Sequence, residues 1–128
     1  MKSSTARVVD KDLIMEWAIT AARAADDKQG RDTCVLEVGA VLAITDYFVI
    51  TSGANSRQVR TIADAVEEKV REFGGPSPLR EEGRSDLSWV LIDYGDLVVH
   101  VFLNDTRTFY GLERLWADAA RVPWQAAG

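Results

Sequence analysis

The stretch "SWVLIDYGDLVVHVFL", residues 88–103, constrains the fold more than any other part of the chain. Its apolar residues alternate on both sides of a Tyr-Gly-Asp turn signal, so it reads as a β-hairpin. A two-residue turn leaves two registers open. One at Tyr94-Gly95 sets Trp89 opposite His100, and one at Gly95-Asp96 sets Leu91 opposite His100. Both put Trp89, Leu91, Val98, His100 and Phe102 on one face, because strand side chains alternate with period two. A three-residue loop would break the pattern. The other face carries only Val90, Ile92, Leu97, Val99 and Val101. Such an aliphatic layer needs helices over it, which predicts a single α/β domain with a mixed sheet and helices packed on it.

Two segments have the period of such helices. From Lys11 to about Asp26, Leu13, Ile14, Trp17, Ala18, Ala21, Ala22 and Ala25 recur at spacings of three and four. From Ser56 to Phe73, the stripe is Val59, Ile62, Ala63, Val66, Val70 and Phe73. Asn55 and Gln58 have capping-box spacing before it, Gly74 suits the C′ position, and Glu67 can pair with Arg71 one turn on. Between the helices, "TCVLEV" alternates as a first strand. "DYFVITS" is apolar on both faces and so reads as a central strand. The segment "GGPSPLREEGRSD" is turn-rich, with a short edge strand near Leu79, and Asp105 offers a cap for a short helix. These boundaries give residues 1–10 as a floppy tail, 11–116 as the domain and 117–128, with Pro123, as a C-terminal tail.

Composition excludes several classes of function. Cys34 is the only cysteine and His100 the only histidine, so neither a disulfide nor a cysteine-histidine zinc cluster is expected, and no metal or cofactor is assigned. No apolar run approaches the roughly 18 residues of a membrane span. The N-terminal "MKSSTAR" lacks the apolar segment of a signal peptide, which makes the cytoplasm the expected compartment. The 20 acidic residues outnumber 15 basic ones for a net charge of -5, with no basic cluster. Direct binding to nucleic acid is therefore disfavoured, and a basic protein partner is favoured. No phosphate loop, dinucleotide fingerprint or nucleophile elbow occurs, so the chain is not expected to be an enzyme. Asp93 and Asp96 flank a turn and suit turn chemistry.

Two readings of His100 stay open: a strand histidine hydrogen-bonded to a neighbour, and one member of a binding patch with Trp89. Aromatic weight gathers in the C-terminal third, where Trp89, Tyr94, Phe109, Tyr110, Trp116 and Trp124 lie. Aromatics and arginines are the residue types that anchor interfaces.

The segments "DYFVITSGANSRQVRTIADAVEEKV", "REEG", "WVLIDYGDLVVHVF" and "RTFYGLERLW", in this order and spacing, resemble the iojap-like ribosomal silencing factors. The resemblance runs from about Leu13 to Trp116. It implies a bacterial or organellar protein with a nucleotidyltransferase-like α/β fold. It also implies binding to the large ribosomal subunit through the fourteenth large-subunit protein, which keeps the small subunit from joining and damps translation when nutrients are scarce. The chain departs from the family in carrying Glu37 where aspartate is usual, and the segment after Trp116 has no family pattern.

The fold analogy raises a rival, a nucleotidyltransferase. Gly53 and Ser56 mimic the glycine-serine turn of those enzymes, but no carboxylate pair follows on the next strand to seat magnesium. Asp64, Glu67 and Glu68 fall at helical spacing instead. A further alternative is a homodimer with no ribosomal role. For the ribosomal reading, the expected docking set is Trp89, Tyr94, His100, Arg107 and Tyr110, with the acids Glu82, Asp93 and Asp96 meeting the partner's lysines and arginines.

Overall fold

The computed structural model describes residues 10–40, 42–111, 114 and 117–125. The expected tail before Asp10, and Leu112, Glu113, Leu115 and Trp116 of the C-terminal motif, lie outside the described residues. Among the described residues three helices, α1 (Lys11–Asp27), α2 (Ser56–Glu72) and α3 (Asn104–Tyr110), accompany six strands. The strands are β1 (Arg31–Glu37), β2 (Tyr47–Gly53), β3 (Arg80–Glu82), β4 (Trp89–Asp93), β5 (Leu97–Leu103) and β6 (Ala120–Arg121). They form one sheet in the order β3-β4-β5-β2-β1-β6. Only β2 and β5 run parallel; α2 and the β3-β4 edge make the crossover between them.

The hairpin takes the second of the two registers. Leu91 pairs with His100 and Trp89 with Phe102, across a turn at Gly95-Asp96 that Tyr94 N–H closes onto the Leu97 carbonyl at 2.8 Å. Gly95 has φ 93°, a conformation that glycine adopts without strain. Asp93 supports the same turn, its carboxylate accepting from Gly95 N–H at 2.8 Å.

Helices α1 and α2 cover the aliphatic face. Val59, Ile62, Ala63, Val66 and Val70 of α2 are fully buried in one cluster with Val90, Ile92, Leu97, Val99 and Val101. The alanines of α1 (Ala18, Ala21, Ala22, Ala24 and Ala25) belong to the same cluster, and their small side chains allow close packing beside α2. Asp10, expected as the last residue of the floppy tail, instead caps α1, accepting from Asp12 N–H at 2.9 Å. Asn55 caps α2 through Gln58 N–H at 2.9 Å, but Gln58 reaches back to Ala54 N–H rather than to the cap residue.

Several local expectations fail where tertiary contacts decide. Phe73 leaves the α2 stripe and is 46% exposed. The chain turns there: Gly74 N–H bonds the Arg71 carbonyl and Gly75 N–H the Val70 carbonyl, which closes the helix in a Schellman motif. Leu13 faces solvent. Glu67 pairs with Arg84, not with Arg71. Asp105 lies in the first turn of α3 and does not cap it. Residues 120–125 form no loose tail. β6 pairs with β1, and Trp124 packs on the core while donating its indole N–H to the Thr33 carbonyl at 3.1 Å. Arg23 Nε–H holds the Trp124 carbonyl at 2.9 Å.

A candidate docking face around Trp89

The sheet face away from α1 and α2 carries a smaller core of Cys34, Leu36, Val38, Phe48, Ile50 and Phe102. Trp89 sits half-buried at its border. Its indole N–H donates to His100 Nδ1 at 3.2 Å, and its ring lies 4.8 Å from Phe102 and 5.0 Å from Tyr110. Tyr110 in turn meets Phe109 edge-on at 5.1 Å. An aromatic run thus begins in the sheet at Trp89 and emerges on α3, where Phe109 is 80% and Tyr110 56% exposed. Surface exposure of that size, continuous with a half-buried tryptophan, is the make-up of an interface anchor.

His100 lies behind this run and is only 5% exposed. Phe48 contacts its ring edge-on at 4.7 Å. Burial pushes its pKa down to about 4, so the ring is neutral near pH 7. Because Nδ1 accepts from Trp89, the ring proton sits on Nε2, and Nε2 has no hydrogen-bond partner among the described residues. Beside it runs a groove of about 350 Å³ whose lining includes Phe48, Leu79, Leu91, Val98 and His100.

The other expected docking residues divide. Glu82 is exposed on the edge strand β3 and ion-paired with Arg80 at 3.6 Å. Asp93 accepts from Arg80 Nε–H at 3.2 Å as well as bracing the turn. Asp96 is half-exposed, and its backbone carbonyl accepts from Asp46 and Tyr47 N–H groups. By register Glu82 and Asp93 share the face of Trp89 and Leu91, and Asp96 lies in the adjoining turn.

Tyr94 and Arg107 do not join the face. Tyr94 is buried in the helix-side core, where burial raises its phenol pKa. Arg107 is 7% exposed, and its guanidinium donates to the carbonyls of Arg31 and Asp32 at 2.9 and 2.6 Å and to Ser52 Oγ at 3.1 Å. It ties α3 to the start of β1. Residue type alone pointed to an interface, whereas these three acceptors lie more than fifty positions away along the chain.

Two of the helical acids weighed for the rival reading, Asp64 and Glu67, are held in an ion-pair cluster. Asp64, Glu67 and Glu81 converge on Arg84, with contacts of 2.6 Å to Asp64 and 2.8 Å to Glu81. Burial, followed by the neighbouring Glu81, pushes the Glu67 carboxyl above the usual range. Glu37 pairs with Lys11 at 3.0 Å and joins α1 to β1. Nothing local in the sequence marks Arg84 as the hub, since two of its partners lie on α2 and one on β3.

The fold is a single mixed α/β domain, one sheet face of which leads through Trp89 and Tyr110 to the exposed Phe109. The profile of the family described as "Ribosomal silencing factor during starvation" matches residues 11–127. The chain belongs to that family. It is 41% identical over 99 residues to the ribosomal silencing factor of Bacillus subtilis, covering 77% of this chain and 83% of that protein. A crystal structure of a Chromobacterium violaceum protein superposes with a TM-score of 0.77 at 33% identity, over 90% of this chain and 93% of that one. The mouse protein named "Mitochondrial assembly of ribosomal large subunit protein 1" is 33% identical over 91 residues, covering 70% of this chain and 40% of that protein.

Proposed function

We propose that this protein silences ribosomes by docking on the large subunit in the cytoplasm through a basic ribosomal protein, the fourteenth of that subunit. From there it blocks small-subunit joining by its bulk. The exposed aromatic run from Trp89 through Tyr110 to Phe109 carries the reading, because it supplies apolar anchors on a chain whose net charge of -5 opposes direct contact with RNA. Glu82, Asp93 and Asp96 give the rim the charge that suits lysines and arginines. Blocking needs no chemistry, so silencing depends on affinity and occupancy alone. The printed name of the mouse relative, which refers to the large subunit, supports the choice of partner.

Replacing the anchor tests the face. Trp89→Ala is expected to weaken binding to purified large subunits by about 2 kcal/mol or more, roughly thirtyfold, as at interface hot spots. Its half-buried ring contacts make some loss of stability certain, so a circular-dichroism melt must confirm a folded variant at the assay temperature. A folded Trp89→Ala protein that sediments with large subunits as tightly as the parent would rule this face out.

A further inference from the structure

The groove beside Trp89 is lined by two residues with buried polar atoms that find no partner among the described residues. His100 Nε2 and Thr45 Oγ1 have no hydrogen bond there, both residues are 5% exposed, and both line the groove. Folded proteins seldom leave such groups unmet, and where they do, a bound water, a partner or a function usually explains it. The rest of the lining is mostly apolar, and two of its members, Ile44 and Leu79, are 80% and 73% exposed.

We infer that this groove takes one aliphatic side chain of the docked ribosomal protein, with a neighbouring carbonyl oxygen of that protein accepting from His100 Nε2–H and Thr45 completing the polar contact. The inference rests on the docking reading and adds to it a recognition pocket. The donor is an uncharged ring in apolar surroundings, which suits a neutral carbonyl better than a carboxylate that would have to shed its water. Asp93 on the groove wall is already paired with Arg80, which also lines it, so the wall holds no unpaired cation for an incoming acid. Neither polar atom reaches solvent, so the occupant meets them only as the side chains of the groove lining shift. The pocket adjoins the aromatic run through the Trp89–His100 hydrogen bond, so one partner surface can engage both.

Two substitutions separate the donor from the ring. In His100→Asn the amide oxygen can still accept from Trp89, but the distal donor is gone; in His100→Gln the amide nitrogen reaches toward the position of Nε2. Both are assayed by co-sedimentation with purified large subunits, beside the parent and Thr45→Val. Binding should fall about tenfold in His100→Asn, recover to within a few-fold of the parent in His100→Gln, and fall several-fold in Thr45→Val. Parental binding by folded His100→Asn, or equal losses in the two His100 variants, would overturn the pocket while leaving the docking face intact. If neither His100 variant folds, Thr45→Val decides: parental binding by that variant overturns the pocket. Failure of the parent itself to bind large subunits would remove the docking reading and the pocket together.

Discussion

Val66→Asp should leave little folded protein. Val66 is fully buried at the centre of the α2 stripe and belongs to the same core cluster as Val90, Ile92, Val99 and Val101, which are equally buried. A carboxylate placed there must either stay charged without a partner or take up a proton, and both routes cost folding free energy. The expected loss is about 4 kcal/mol or more, against a total of roughly 5–15 kcal/mol for a domain of ordinary stability. Urea titration followed by circular dichroism reads it directly, with exposed Glu68→Ala on the same helix as a control that should move the midpoint little. A midpoint unchanged in Val66→Asp would mean that α2 does not pack as described.

The second large effect is a dependence of stability on pH that belongs to one residue. His100 has a pKa near 4 in the folded chain because burial disfavours its charged form, against 6.5 for the free side chain. The unfolded chain therefore binds the proton first as pH falls, so the folded state loses stability from about pH 6.5 down to about pH 4, and the loss levels off below that. The full decrement is about 3 kcal/mol. Carboxylates elsewhere titrate across part of this window, so the measurement is a difference: unfolding free energies of the parent and of His100→Asn at pH 7, 5.5 and 4. The parent should lose more than the variant, almost all of the excess appearing between pH 6.5 and 4. Parallel profiles would contradict a buried neutral imidazole.

The parts of this fold that were legible in the sequence are those set by local periodicity. Residues 89–102 show their two faces because strand side chains alternate, and Val59 to Val70 show their stripe because helix neighbours recur every three or four positions. What sequence reasoning missed was decided by contacts far apart along the chain. Trp124 reads as part of a tail until Thr33 and Arg23 are brought beside it. Glu67 has Arg71 one turn away, yet Arg84 from the β3-β4 connection takes its carboxylate. Within the candidate site, Trp89 and Tyr110 were legible as surface aromatics. Tyr94 and Arg107 are of interface-prone types, but burial on the helix side and at the α3–β1 junction removes them from the face. Ile44, Leu79 and Thr45 gave no signal, because being unpartnered in a groove is a property of the folded surface and not of spacing. For His100 the structure settles one half of the opening alternatives: the ring is an interior acceptor for Trp89.

The most direct test of silencing by occlusion is a sucrose gradient of purified large subunits, preincubated with excess protein and then challenged with small subunits under joining conditions. The account predicts that the protein travels with free large subunits and that the peak of joined ribosomes shrinks as the protein is titrated in. A joined-ribosome peak of undiminished height, with the protein left at the top of the gradient, would contradict it.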